Sequence, residues 1–300
     1  MHAARTTRGP SQLVVALWIA LLCAVWGSTW IVIQGGLDDL PPFTSAALRF
    51  IVSGVAMSVV AAMFAHRERG TAPPARLLIT LGTFNFGASY AIVYWSETVL
   101  PSGLTSLLWG VFPLLMALAG HWFLPSERLR GAQWLGFVLG FVGLGLLFFT
   151  DLRGFGARSV TAAAILLCSP LVSAVGATVI KRHGAGVNSM LLNRNAMLLG
   201  AVWLSLLALW RERGIDVHWT AGAVGSVLYL ALGGTVFTFG VYFWLLKSVP
   251  AYRMSLIAYV TPAIALSLGA LLRHETITST MLAGAAAVLA GVVLVVRIHR

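Results

Sequence analysis

Apolar runs of about 20 residues, parted by short polar breaks, follow one another along this chain from Ser11 onward. A helix of that length spans the hydrocarbon core of a bilayer, about 30 Å thick. The breaks carry residues that stop and start helices: Asp38, Asp39, Pro41 and Pro42; Arg67, Arg69, Pro73 and Pro74; Pro101; Glu127, Arg128 and Arg130. Reading from break to break predicts helices over 11–35, 42–65, 75–97, 101–123, 131–150, 159–180, 187–210, 220–247, 250–272 and 278–297. The link Asp151–Arg158 divides them into two sets of five.

The two sets resemble each other. Tyr90–Trp122 returns 149 positions later as Phe239–Leu271, with Trp95 on Trp244, Pro101 on Pro250, Pro113 on Pro262 and Gly120 on Gly269. Trp26–Trp30 falls on Val175–Val179 at the same offset, and with short gaps Arg49 meets Arg194 and Glu127 meets Glu275. Five is an odd number of crossings, so the halves must enter the membrane from opposite sides. The expected fold is an all-α integral membrane protein: ten transmembrane helices as two inverted repeats, 1–150 and 151–300. Such repeats are typical of secondary transporters, with the substrate site between them.

Charge sets the expected orientation. With the N-terminus inside, the inner segments hold Arg5, Arg8, Arg67, Arg69, Arg76, Arg128, Arg130, Lys181, Arg182, Lys247, Arg253, Arg297 and Arg300. The outer loops hold only Arg153, Arg158, Arg211, Arg213 and Arg273, which places both termini in the cytoplasm. Composition agrees with membrane residence: 59% of residues are hydrophobic and 10% charged, against about a quarter charged in soluble domains. The net charge of +11 is spread over short loops, so it speaks for orientation and not for nucleic acid. The first run is too long for a signal-peptide core and reads as a retained helix. Cys23 and Cys168 both lie in apolar segments and imply no disulfide framework. No metal-ligand spacing, nucleotide loop or Ser/His/acid set stands out, so neither a cofactor nor an enzyme is expected.

Candidate site residues come from the helix interiors. Phe86, Tyr90 and Tyr94 recur every four residues on one face of the third helix, with Thr235, Phe239 and Phe243 as repeat mates. Trp26 and Trp30 form a stripe on the first helix, and Trp109 stands one turn before Pro113. Packing or lipid contact would use such residues equally well; a cavity wall for an apolar or aromatic side chain is the functional reading. Asn85 could bond a substrate or a neighbouring helix. Arg49 and Arg194 are cations inside apolar spans, read as a clasp or gate ahead of a carboxylate anchor. Pro113 and Pro262 would bend their helices as hinges. Gly136-x-x-x-Gly140 leaves a homodimer contact open.

Trp26-Gly27-Ser28, Leu48-Arg49-Phe50, Pro113 with Glu127, and Pro262 with Glu275, Gly284 and Gly291 resemble the drug/metabolite transporter superfamily, in its ten-helix EamA branch of bacterial exporters. The resemblance covers nearly the whole chain. It implies an inner-membrane protein with a central cavity that exports small metabolites, the aromatic content pointing to neutral, apolar or aromatic amino acids. An anionic-metabolite or sugar-nucleotide carrier, or a membrane-embedded enzyme or sensor, remains the alternative. Glu97 departs from the family's small residue at the end of the third helix. The nine carboxylates all fall in loops or at helix ends, which predicts facilitated movement, with proton antiport through Glu97 or His121 as the alternative.

Overall fold

The computed structural model describes residues 12–68, 70–124, 128–129, 131–147, 156–246 and 256–297. Seven helices among them are long and apolar enough to cross a membrane. Helices 1 to 4 are Gln12–Gly36, Pro42–Arg67, Ala75–Glu97 and Ser102–Phe123, and helices 6 to 8 are Ala157–His183, Ser189–Arg211 and Ala221–Tyr242. Helix 5 (Gly131–Leu146), helix 9 (Leu256–Arg273) and helix 10 (Ser279–Arg297) are apolar but shorter over their described parts. The chain is therefore all-helical, and one isolated bridge, Thr71–Val187, is the only β pairing among the described residues. Side chains such as Val55, Leu135 and Leu209 are more than half exposed on the outside of the bundle, a surface suited to lipid. Trp122, Trp210 and Trp219 are exposed near helix ends, as interfacial anchors would be.

Several helices depart from regular α geometry. Thr80–Ala88 in helix 3 and Tyr229–Phe237 in helix 8 are π-helical, and they lie 149 positions apart, the offset of the sequence match. A π turn widens the helix and frees backbone and side-chain acceptors, so it often marks a functional place. Helix 4 breaks at Gly110–Val111, two residues before Pro113. Pro262, its counterpart, stays inside an unbroken stretch of helix 9. Helix 6 breaks at Leu167, three residues before Pro170, because that ring leaves no N–H for the carbonyl behind it.

Helix 2 packs along helix 7, helix 1 along helix 9, and helix 5 along helix 10. The last contact is backbone on backbone: a Cβ added at Gly136 would lie 2.7 Å from the Gly291 carbonyl, and one at Gly143 2.7 Å from that of Gly284. The small-residue face of helix 5 is thus filled by this chain's own helix 10. Helix 4 divides its contacts. Ser102–Trp109 packs mainly on helices 9 and 1, whereas Phe112–Phe123 packs mainly on helix 6.

Glutamates staple helix starts across the fold. Helices 2 and 4 begin after Pro41 and Pro101, which have no side-chain acceptor for the free N–H groups. Glu212 accepts from the Phe43 and Thr44 amides at 2.7 Å each and from Thr44 Oγ1. Glu275 accepts from the Ser102 and Gly103 amides at 2.8 and 2.9 Å and from Ser102 Oγ. Glu68 does the same for helix 7 through Ser189 Oγ and the Met190 amide. At one end of the bundle the Glu212 and Glu275 caps join an Arg273–Asp38 ion pair and Thr220 Oγ1 donating to Asp39. That is the Asp38 end; the opposite one, where Asn188 donates to the carbonyls of Ala65 and Glu68, is the His66 end.

Candidate substrate site

Arg49 is at the centre of the polar interior. It lies seven residues into helix 2 and is 3% exposed. Its Nε donates to Thr235 Oγ1 of helix 8 at 3.1 Å, and its guanidinium carbon stands 4.8 Å from the Tyr90 ring centroid on helix 3. The π segment makes this possible. Thr235 Oγ1 donates to the Leu230 carbonyl five residues back, at 2.8 Å, and turns its lone pair to Arg49. The repeat mate of Thr235 is Phe86, which offers no acceptor. Arg194 is only half-buried and donates from Nε to its neighbour Asn195 at 2.8 Å. The two arginines, paired by sequence, are therefore not equivalent in the fold.

The Phe50 and Tyr90 rings flank the guanidinium, and further aromatic rings extend away from it. Phe50 packs on Phe86 and Tyr90, with centroids 5.2 and 4.7 Å apart; Phe86 reaches Phe239 at 6.2 Å, and Phe239 reaches Trp26 at 5.8 Å. Trp30, one turn along from Trp26, meets Trp109 at 6.2 Å, and Trp109 stacks on Phe112 at 4.9 Å. Phe50, Phe86 and Tyr94 are buried, whereas Trp26, Trp30, Tyr90, Trp109, Phe112 and Phe239 are half-buried. The sequence-derived set thus divides: Trp30, Tyr90, Trp109 and Phe239 are the rings that keep free surface, and Phe86 and Tyr94 back them. The Phe243 side chain lies outside the described residues.

The motif residues of helix 1 explain themselves by contact. Trp26 Nε1 donates to the Gly234 carbonyl at 3.3 Å, Gly27 lets Ile264 of helix 9 approach, and Ser28 Oγ lies 2.6 Å from the Tyr229 hydroxyl. On the other side, Trp109 Nε1 donates to Ser169 Oγ at 3.0 Å, and Ser169, Ser89 and Ser173 hydroxyls continue the seam at 2.7 and 3.0 Å. Asn85 belongs to this seam. Its Nδ2 donates to the Ser173 carbonyl at 3.4 Å and its side chain presses on Gly176, so it joins helices 3 and 6.

Sequence reasoning missed three features. Thr235, named only as a repeat mate, was not seen as the acceptor for Arg49, because a threonine in an apolar run carries no such signal until its helix widens. The serine seam escaped because hydroxyls are common in membrane helices. The burial of Glu97 was missed: placed at the outer end of the third helix and named as an alternative proton site, it is 3% exposed, with neither carboxyl oxygen hydrogen-bonded. A shallow apolar groove between helices 2 and 7, lined by Ile51, Val55, Leu198 and Val202, opens on the lipid-facing side. With Ser205 as its one polar lining residue, it lacks the convergent polar groups that solute recognition needs.

A multi-pass helical bundle with capped, crosswise joints and a half-polar aromatic centre is the build of a membrane transporter. The model of the EamA-like transporter family matches residues 13–149 and again 160–297, and the chain belongs to that family. It is similar to the uncharacterized transporter YoaV of Bacillus subtilis strain 168, 26% identical over 280 residues, covering 93% of this chain and 95% of the relative. It is also similar to the uncharacterized inner membrane transporter YedA of Escherichia coli K12, 25% identical over 261 residues, covering 86% and 82%. A solved crystal structure, 18% identical, superposes with a TM-score of 0.68 over 95% of this chain and 97% of that one, which speaks for the fold alone.

Proposed function

We propose that this transporter exports small neutral amino acids with apolar or aromatic side chains, or metabolites of that shape, across the bacterial inner membrane by alternating access. The observation that carries the reading is the set of half-buried Trp30, Tyr90, Trp109 and Phe239 on helices 1, 3, 4 and 8, with Tyr90 over Arg49, the one deeply buried cation among the described residues. Aromatic faces take an apolar side chain, and one cation is too few for a phosphate ester or sugar nucleotide. Ten crossings in two inverted halves are part of the proposal. Its support is the family model matching each half, the π segments at one offset, and the reciprocal caps Glu212 on helix 2 and Glu68 on helix 7. Alternating access is supported by the split contacts of helix 4, which breaks at Gly110–Val111 beside the proposed hinge Pro113. In the orientation that the loop charges favour, the Asp38 end faces outward and is the closed one.

Purified protein in liposomes should accelerate efflux of at least one apolar or aromatic amino acid from a mixed panel by tenfold or more over empty vesicles. Movement of phosphate esters alone, with amino acids retained, would reject the substrate class. Orientation has its own check in a background lacking Cys23 and Cys168. Ile215→Cys should react with an impermeant thiol reagent in intact cells and Thr71→Cys should not; the reverse pattern would turn the topology over.

A further inference from the structure

The Asp38 end of the bundle closes over the Glu97 carboxyl group, which accepts no hydrogen bond from the described residues. Glu97 is the last residue of helix 3, 3% exposed, and neither of its oxygens has a hydrogen-bond partner. Ser96 Oγ on the same stretch is buried and unpartnered as well, and the buried Tyr94 hydroxyl faces Arg49. Burying an ionised carboxylate is costly unless it is both paired and hydrogen-bonded. The ionisable groups acting on Glu97 are Arg49 from helix 2, Glu275 from the link before helix 10, and Tyr94 from helix 3 itself. Tyr90 acts on Arg49 and Tyr94 from the next turn of helix 3. Helices 1 and 4 carry no Asp, Glu, Lys or Arg, and Arg158 of helix 6 is exposed.

The two formal neighbours are both engaged elsewhere. Glu275 spends its carboxylate on the start of helix 4, with three hydrogen bonds. Arg49 gives its Nε to Thr235 and its face to Tyr90, and it makes no hydrogen bond to either Glu97 oxygen. Two carboxylates near each other do not both ionise cheaply, and Glu97 is the one with no donor to hold a charge.

We propose that the Glu97 carboxyl is a proton-binding site, occupied while the Asp38 end is closed and emptied when that end opens. On opening, water reaches the group, its O–H bond breaks, the proton leaves to that water, and a carboxylate remains. Reclosing requires one proton to be taken up from the same face. Each opening and closing thus handles one proton, which gives the transport cycle a means of coupling to a pH gradient. The site rests on the transporter reading for its use only. Its tests need no substrate, so the two can fail separately.

Infrared spectra of the full-length protein in liposomes at neutral pH should show the C=O band of a protonated carboxylic acid. The band should be missing from Glu97→Gln and kept in Glu275→Gln. No such band in the wild type, or one that survives Glu97→Gln, would overturn the proposal. Because the buried group is neutral, Glu97→Gln or Glu97→Met should fold. Failure of both would also count against it, since the fold would then be using the charge. For the opening step, spin labels on Val99→Cys and Ile277→Cys, in a background lacking Cys23 and Cys168, report the separation across the Asp38 end. The open fraction should rise with pH by up to about tenfold per pH unit, the limit for one proton, and stay flat in Glu97→Gln. A flat wild-type profile, or an unchanged slope in the variant, would remove proton release from the opening step.

Discussion

Glu275→Ala should lower the stability of the protein by about 2–4 kcal/mol, the scale of several charge-assisted hydrogen bonds to a partly buried helix cap. The carboxylate accepts from two amides and a hydroxyl at the start of helix 4, at 2.7 to 2.9 Å. Pro101 precedes that helix and has no acceptor to offer, so removing Glu275 leaves these donors to whatever water can reach them. Glu212→Ala should behave alike, for the same reason at helix 2. Asp38→Ala is the control. Its ion pair with Arg273 is made by side chains 59% and 31% exposed, and an exposed pair contributes about 0–1 kcal/mol. Thermal melting in one detergent should therefore rank the two cap variants well below Asp38→Ala. If all three melt together, the caps are not what joins these helices.

The caps also show how far the sequence could be read. Helix positions were legible because bilayer-length apolar runs leave little choice, and Ala75–Glu97 matches its expected range to the residue. What fills a helix start was not legible, because Glu212 lies 168 residues from Thr44 and Glu275 173 from Ser102. A partial signal existed. A helix that opens on Pro41 or Pro101 with no Ser, Thr, Asp or Asn in the capping position needs an acceptor from elsewhere.

The π segments explain the rest of the shortfall. Spacing by fours put Phe86, Tyr90 and Tyr94 on one face of a regular helix, and the rings do lie along one another, Phe86 to Tyr90 at 6.4 Å. Hydrophobic periodicity cannot tell a regular turn from a widened one, so the hydroxyl that the wide turn aims at Arg49 stayed hidden. Duplication misled in the same place. It paired Arg49 with Arg194, but partners decide burial, and only Arg49 has Thr235 and Tyr90 to receive it. Glu97 was read at the outer end of its helix, which says nothing of burial, whereas here the first two turns of helix 4 are themselves buried.

Arg49→Lys should leave the protein folded and cut turnover about tenfold, and Arg49→Ala should cut it about 100-fold or more. The guanidinium ties helix 2 to helix 8 through Thr235 and lies over Tyr90 of helix 3, so three helices meet on one side chain. A desolvated cation–π contact contributes about 2 kcal/mol and a hydrogen bond from a charged donor about 1.5–3. Lysine keeps the charge but loses the planar fork and the stacking face. A loss of 1.4 kcal/mol in the step that limits turnover is tenfold in rate. The split between kinetic constants separates the two roles open to this residue. As a clasp between helices, Arg49 acts on the conformational step, so turnover falls while KM for the solute moved in liposomes changes less than about threefold. As an anchor for the substrate carboxylate it would act on binding, and KM would rise by the larger factor. A tenfold rise in KM for Arg49→Lys, with turnover kept, would make Arg49 part of the binding site and leave the joining of helices 2, 3 and 8 to the aromatic contacts alone.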